Sequence, residues 1–598
     1  MSDTLPPSFL DVEHSLTGRR WIGRDVDARH ALALVQRGQL PEALGNILAA
    51  RDLALDDLAE FLAPTLKRSL PDPSQLLDMD RAALRLAEAV QKGEKIAVFG
   101  DYDVDGATSG ALLQRFFRAV GTHIETYIPD RMREGYGPNA AALRGLREKG
   151  VKIVITVDCG ITAFEPLAEA QAIGLEVIVV DHHAAEPRLP AAFAVINPNR
   201  IDQQAGLGHL AAVGVAFLLT VATNRALRQA GWYGARAEPD LKQWLDLVAL
   251  GTVCDMVPLK GLNRALVVQG LKVMRGRANA GLVALAEVAR VAEAPASFHL
   301  GFLFGPRVNA GGRVGQADLG TRLLATDDPQ LAGALAVRLQ EFNDERRAIE
   351  AQVLAQAIEH VEKMPTLPAL ICVAAENWHA GVIGIVASRL VERYHRPCMV
   401  IALKEGIGKG SGRSVRGFDL GAAVIAARQS GLLVNGGGHP MAAGLTVAEA
   451  QLPQLGAFLV QRAEAALGSQ PPRASLVLDA ALMPAAANAP LAEALALLEP
   501  FGIGNPEPKF ALPGVRVDYA ALAGGEHVRC VLSGGGAKLN AIAFRAAGNK
   551  LGAALLSGGG APLHVAGSIR LNRWNGRETV QLRIEDAAIA GKAQEKLD

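Results

Sequence analysis

The 598-residue chain lacks net charge, its 61 basic side chains being matched by 61 acidic ones. No global field announces a polyanionic or polycationic partner, although a balanced total leaves room for local patches. Aromatic residues are scarce, at 5%, which argues against broad stacking platforms. Cysteine is scarce too. Cys159, Cys254, Cys372, Cys398 and Cys530 are odd in number, scattered, and never spaced as CxxC, which fits a reducing compartment better than a disulfide scaffold. The opening MSDTLPPSFLDVEHSLTGRRW places prolines and acids where a signal peptide would carry a basic start and an apolar core. No apolar run reaches the ~18 residues of a membrane span, and no repeat of fixed period is present. The expected setting is the cytoplasm.

The composition that remains, 50% apolar and 20% charged, is that of a folded chain. At roughly 150 residues per domain, the length accommodates about four domains. Residues 1–78 read as an N-terminal helical extension, with AEFLAPTLKRSLPDP as a helix stopped by proline. From residue 79 to 325, the β runs KIAVFG, HIETYI, KIVITV, EVIVV and FAVIN alternate with helical runs, then give way to helices over about 207–290. That alternation predicts an α/β domain on a parallel sheet. Asp327-Asp328-Pro329 starts a helical segment over 326–363. Its apolar positions Leu331, Leu335, Leu339, Phe342, Ile349, Val353, Ala357 and Val361 approximate one face. Unbroken, it would span ~50 Å and could bridge two domains; two ordinary surface helices are the alternative. Residues 364–468 form a second α/β region with ALICVA and PCMVIAL as strands, SQPPRAS is a linker, and 473–590 carry short β runs and glycine turns that suggest a small β-barrel or sandwich.

Chemistry-bearing residues gather after strand ends. Asp101, Asp103 and Asp105 lie in GDYDVDG, after KIAVF and before a helix. Three carboxylates so close repel one another and, if withdrawn from water, need cations to stay ionised; a solvated acidic turn is the bland alternative. The spaced ligands and closing Glu of an EF-hand are absent. Asp158 ends KIVITV, Asp181-His182-His183 end EVIVV, and Asp255 lies in LDLVALGTVCDMVP. Alone, each fits a helix cap or a satisfied core histidine. Together, three of the four sit at carboxyl ends of predicted parallel strands, where open α/β sheets place ligands. Carboxylate oxygen with imidazole nitrogen suits Mn²⁺, and Mg²⁺ less well because of the histidine, with zinc a further alternative. Cys159 adjoins an acid, but strand neighbours face opposite ways; it reads as core filler, and Cys254 is read the same way. No side-chain nucleophile stands out. A GxSxG elbow is absent, and GIGKGSG only echoes a phosphate loop because Gly follows Lys409.

DYDVDG, VDCG, DHH and CDMVPL resemble, in order, the four motifs of the DHH phosphoesterase superfamily. GPRVNAGGR, WHAGVIGIVASRL, SGRSVRGFDL, NGGGHPMAAG and PFGIGNPEP narrow the resemblance to its bacterial single-strand-specific 5′→3′ DNA exonucleases. The resemblance covers almost the whole chain, and departs from the pattern at Gly311, where alanine is expected. It implies a DHH-type parallel-sheet domain, a helical linker, a DHH-associated α/β domain and a C-terminal OB-fold barrel. It also implies a dinuclear site for two divalent cations, Mn²⁺ preferred and Mg²⁺ accepted, formed by Asp103, Asp105, Asp158, His182 and Asp255. Asp101 is a further candidate ligand. Asp158 would bridge the metals, His183 would face the scissile phosphate, and Asp105 and Asp158 would share in catalysis with it.

The same resemblance singles out Arg307, Arg313, His379, Ser411, Arg413, Gly437, Gly438 and His439 as substrate-binding residues. The glycines would form a loop across a cleft from the metals. Arg131 joins them because guanidinium pairs with phosphate bidentately. Residues 389–416 hold seven basic side chains and two acidic ones, and residues 545–583 hold six and one. On the barrel, Arg570, Arg573, Trp574 and Arg577 could follow a DNA backbone and stack a base. The function so implied is stepwise 5′→3′ hydrolysis of single-stranded DNA to mononucleotides in repair and recombination. A monomer working beside a single-strand-binding protein and a RecQ-type helicase is the expected form. Another DHH phosphodiesterase, acting on nanoRNA or cyclic dinucleotides, and a non-catalytic DNA-binding scaffold are the alternatives.

Overall fold

The structure, a computed structural model, describes residues 7–131, 133–468, 474–558, 560–574 and 577–591. The chain divides into two compact units, one of residues 65–472 with 502–504, the other of residues 1–64, 473–501 and 505–598.

The first unit begins on a parallel sheet. Its strands are β1 (Ile96–Gly100), β2 (Ile124–Tyr127), β3 (Ile153–Val157), β4 (Glu176–Val180) and β5 (Ala194–Ile196), in the order β2-β1-β3-β4-β5. The central strands read as unbroken apolar runs because helices cover both faces, and β1 and β3 are buried at every position. The order reverses between β1 and β3, so their carboxyl ends open the crevice where such sheets bind ligands. Helices α1 (Val104–Ala119), α2 (Ala212–Gln229) and α3 (Leu245–Cys254) build the core on one side, and α4 (Gly305–Val314) follows them.

Helix α5 (Pro329–Glu362) is one unbroken helix of 34 residues, capped by Asp328, whose side chain accepts from the N–H groups of Gln330 and Leu331. Its apolar face serves two cores. Leu335, Leu339 and Phe342 pack with the parallel-sheet domain, while Val353, Ala357 and Val361 pack into the next one. Leu331, expected on that face, is 42% exposed.

The second α/β domain is a mixed sheet of β6 (Ile371–Glu376), β7 (Cys398–Lys404), β8 (Ile407–Arg413), β9 (Asn435–His439) and β10 (Ala442–Ala448), in the order β9-β10-β8-β7-β6. Here the glycine run 436–438 departs from expectation, because it is a strand paired antiparallel with β10 and not a loop. The cause is clearance beneath α6 (Leu420–Gln429) and across the hairpin. A Cβ at Gly436 would meet the Val424 side chain at 2.8 Å, and one at Gly438 would meet the carbonyl of Ala442 at 2.4 Å.

The other unit is a closed five-stranded barrel of β11 (Phe510–Ala523), β12 (His527–Gly534), β13 (Ala537–Ala543), β14 (Leu563–Trp574) and β15 (Arg577–Ile589), sealed by the β11–β14 pairing. Within the expected 1–78 extension, residues 7–64 pack with the barrel rather than as a separate helical piece, while 65–78 belong to the first unit. The strand Arg20–Gly23 pairs with Ser475–Leu478, and the Trp21 indole donates to Asp586 at 2.9 Å. Leu34, Leu44, Ile47 and Leu48 share one core with Leu512, Leu532 and Leu582 of the barrel. The expected helix across 59–73 is two short ones, Leu58–Leu62 and Leu66–Ser69. Pro64 interrupts it because proline cannot donate to a helical ladder, and the division between the two units falls there. Among the described residues, no helix is long and apolar enough to cross a membrane.

Candidate metal centre and guanidinium cluster

The loop after β1 delivers three acids. Asp103 caps α1, its Oδ1 accepting from the N–H groups of Asp105 and Gly106. Asp105 is buried inside the first turn of α1, and its two oxygens accept from Ala212 N (2.6 Å) and Val213 N (2.8 Å), two otherwise unpaired donors at the start of α2. Asn309 of α4 accepts from Val104 N at 3.1 Å, tying that helix to the same loop. Asp158 directly follows β3 at φ 59°, a left-handed conformation uncommon for residues other than glycine and found at constrained functional positions. Asp255 caps the end of α3.

These side chains converge. His182 Nε2 lies 3.3 Å from Asp158 Oδ1, 3.6 Å from Asp255 Oδ2 and 3.9 Å from Asp105 Oδ2. Asp101, Asp103 and Asp158 form a second group with ligand atoms within 4.8 Å of one another, and Asp158 with His182 and His183 a third. No cysteine belongs to these groups. Cys159 lies in the core, and the Cys254 thiol points to the carbonyl of Leu300 at 3.3 Å.

Asp101 Oδ1, Asp158 Oδ1, Asp255 Oδ2 and His182 Nε2 are buried without a hydrogen-bond partner. Leaving such groups unsatisfied costs ~1–3 kcal/mol each, more for charged ones. Burial and the mutual repulsion of the acids push the Asp105 carboxyl up to about 7 and that of Asp255 to about 9, and raise Asp101 and Asp158 as well. Burial and the neighbouring His183 charge lower His182 to about 4, so its imidazole is neutral at pH 7 and free to donate a lone pair. A cluster of repelling carboxylates around a neutral imidazole, with four orphaned atoms facing inward, fits cations and little else.

His183 is held differently. Its Nδ1 is 2.8 Å from Asp181 Oδ1, which also accepts from the backbone N–H of His182 and His183. Burial alone would lower His183, but the hydrogen bond and charge of Asp181 raise it above the ordinary histidine value. Residue type alone does not single out three further residues here. The Tyr136 hydroxyl donates to the Asp158 carbonyl at 2.8 Å and sits 3.4 Å from His183 Nδ1. Asn197 Nδ2 donates to the His183 carbonyl (2.9 Å) and Asn199 Nδ2 to the His182 carbonyl (2.5 Å). The one available signal for the two asparagines was position, since both lie within three residues of the end of β5.

Arginines gather beside the acids. The Arg131 guanidinium lies 5.0 Å from the Tyr102 ring centroid. Arg313 donates to the carbonyl of Gly381 at 3.0 Å, and burial plus repulsion from Arg131 and Arg346 lower it to about 10. Arg413 is lowered by burial and by Arg131, and it donates to the Ser411 hydroxyl at 3.4 Å. His379, whose Nδ1 accepts from Gly381 N, also feels the Arg131 charge. Arg131, Arg313, Ser411, Arg413 and His379 therefore form one neighbourhood, without a carboxylate paired to the three guanidiniums among the described residues. Arg307 stands apart from it, bound to the carbonyl of Leu303 and to Gln340 Oε1, both at 2.7 Å. Gly437, Gly438 and His439 lie on β9, with His439 exposed.

On the barrel, Arg570 is paired with Glu507 at 2.6 Å. The side chains of Arg573, Trp574 and Arg577 lie outside the described residues. An aromatic group not anticipated from sequence is described instead. Phe544 packs edge-on to His527, 5.1 Å between centroids, with Arg583 5.0 Å from its ring centroid.

Three family models match the chain: the DHH family N-terminal domain over residues 95–252, the DHHA1 domain over 367–465, and the RecJ OB domain over 478–586. The single-stranded-DNA-specific exonuclease RecJ of Escherichia coli (strain K12) is 36% identical over 562 residues, covering 92% of this chain and 96% of that protein. The chain belongs to the RecJ family. The family's Bacillus subtilis (strain 168) member is 33% identical over 579 residues, 96% of this chain and 71% of that one. Among solved structures, RecJ from Thermus thermophilus in complex with Mn²⁺ superposes with a TM-score of 0.79 at 30% identity, covering 97% of this chain and 80% of that chain.

Proposed function

We propose that this RecJ-family chain is a metal-dependent exonuclease that degrades single-stranded DNA from the 5′ end to mononucleotides. The convergence of four orphaned buried donors at the carboxyl ends of β1, β3 and β4 and at the end of α3 carries the reading. Asp103, Asp105, Asp158, His182 and Asp255 would hold two divalent cations, with Asp101 as a further ligand. The oxygen-rich set with one imidazole favours Mn²⁺ and admits Mg²⁺. When bound, such ions polarise the phosphoryl oxygens, lower the pKa of an attacking water and stabilise the leaving oxygen.

The chain's own groups do the rest. Asp158 and His182 each belong to two of the three donor groups, and of the two only the carboxylate offers a second oxygen, so Asp158 would be the shared ligand. His183, kept protonatable by Asp181, donates to a non-bridging oxygen of the scissile phosphate. Arg131, Arg313 and Arg413, with Ser411 and His379, bind a terminal phosphate and so direct attack to the terminal linkage. Arg307, Gly437, Gly438 and His439 contact the strand farther on. Arg570, Arg573, Trp574 and Arg577 guide it on the barrel. Burial raises the thiols of Cys159 and Cys254 and so keeps them protonated, in keeping with water as nucleophile. Domain roles follow the same lines: 79–325 catalytic, 326–363 connecting, 364–468 substrate-binding, 473–590 nucleic-acid-binding. A cytoplasmic monomer acting with a single-strand-binding protein and a RecQ-type helicase belongs to the same proposal, and light scattering with co-sedimentation tests it. The test of the activity is time-resolved digestion of end-labelled DNA, with 5′-blocked and 3′-blocked substrates. Cleavage confined to two- to five-nucleotide substrates would overturn the reading in favour of another DHH phosphodiesterase.

A further inference from the structure

Two exposed aromatic rings lie on a turn that packs against the end of α3, the helix whose last turn leads to Asp255, and the metal centre does not use them. Ser297–His299 are α-helical, Leu300–Phe304 form a π-helical turn, and α4 continues the run. Such turns interrupt α-helices frequently at functional sites. Leu300 and Phe304 are buried in the core. A second side presses on the end of α3: the Cys254 thiol meets the Leu300 carbonyl at 3.3 Å, and a Cβ at Gly305 would come within 2.5 Å of that sulfur. The turn is thus seated against the residue preceding Asp255. On its free side Phe298 and Phe302 stack on each other, centroids 5.1 Å apart and planes 24° from parallel, 37% and 70% exposed.

A fixed guanidinium follows the pair along the same run of helix. Arg307 lies one turn onward, its guanidinium fixed by Leu303 and Gln340, with Arg347 and Asp344 nearby. Arg347 is exposed and has no ion pair among the described residues. Rigid aromatic faces beside fixed cations are how sequence-tolerant sites hold single strands, because every base has a π-face and every linkage an anionic phosphate.

We propose that the Phe298–Phe302 pair is a base-stacking platform for the single strand just downstream of the cleaved linkage, with Arg307 on the accompanying phosphate. This rests on the exonuclease reading and gives Arg307 a place outside the terminal-phosphate cluster. A stacked base contributes about 5- to 150-fold in affinity.

The test compares the full chain with its Phe298→Ala/Phe302→Ala variant in Mn²⁺. KM for a 20-nucleotide strand should rise by about tenfold, with the loss shrinking below about twofold on a trinucleotide. Phe302→Trp should restore tight binding. In an Asp158→Ala background, which cannot turn over, 2-aminopurine placed near the 5′ end should be quenched on binding, and the double variant should relieve that quenching. An unchanged KM with unchanged quenching would overturn the platform, as would an equal loss on the trinucleotide. A parent chain that digests no DNA would overturn the exonuclease reading instead, and the quenching experiment would still report on stacking.

Discussion

Stripping the metals should make this protein less stable as pH rises, and the size of the effect can be worked from Asp255. Its carboxyl lies at about 9 in the folded, metal-free chain because of burial and the charges of Asp105 and Asp103. An unfolded chain ionises it near 4. A raised folded value means that the folded state keeps a proton the unfolded state has released. Stability therefore falls as pH climbs from the unfolded value towards the folded one. Between pH 6.5 and 8 this one group costs about 2 kcal/mol, at 1.36 kcal/mol per unit. Asp105, at about 7, adds a smaller loss at the lower end of that window, and Asp101 and Asp158, raised by burial and the neighbouring acids, and His183, raised by Asp181, act in the same direction. His182 works oppositely, because its folded value of about 4 favours the neutral ring, but only about 0.4 kcal/mol of its contribution is gained above pH 6.5. Asp181, held low by His183 and backbone N–H groups, contributes evenly throughout. Urea midpoints in EDTA and in excess Mn²⁺ at pH 6.5 and 8.0 measure the difference. The EDTA series should lose at least about 2 kcal/mol, and the gap between the series should widen with pH because metal competes with protons. A flat EDTA series, or the same slope in Asp255→Asn, would refute the account of the centre.

The structure supports three more expectations. His183→Ala should lower kcat by about 100-fold, with Mn²⁺ affinity little changed by calorimetry, since His183 is bound to Asp181. Asn199→Ala frees the carbonyls of His182 and Gly208 and should weaken Mn²⁺ binding about 10- to 100-fold, as loss of an outer partner does at other metal sites. Arg413→Ala should raise KM for 5′-phosphorylated strands more than for 5′-hydroxyl strands, and flatten the salt dependence of binding by about one counterion.

The metal-centre half of the fold was legible because its signals are local. β1 and β3 are apolar runs followed directly by acids, and α5 opens on Asp328-Pro329, whose cap forms as its residue types require. What stayed hidden depends on distant partners. Nothing near Trp21 signals that its indole meets Asp586, 565 residues away. The run Gly436–Gly438 has the composition of a loop, and it is a strand because α6 and the hairpin leave no room for side chains there. Arg307 and Arg313 lie about 1.7 turns apart on one helix and so on different faces, and only Arg313 turns to the cluster. Asn197 and Asn199 act through backbone carbonyls, a role that residue type alone does not reveal.

The central claim, two-metal hydrolysis from the 5′ end, is tested most directly by one digestion. A long single strand carrying a 5′ label is incubated in Mn²⁺ with the parent chain and with Asp158→Ala, whose fold is checked by circular dichroism. The account predicts labelled mononucleotide as the first product of the parent chain and loss of at least about 1,000-fold in rate for the variant. Labelled mononucleotide appearing only after the strand has shortened from its other end, or a parental rate in Asp158→Ala, would contradict it.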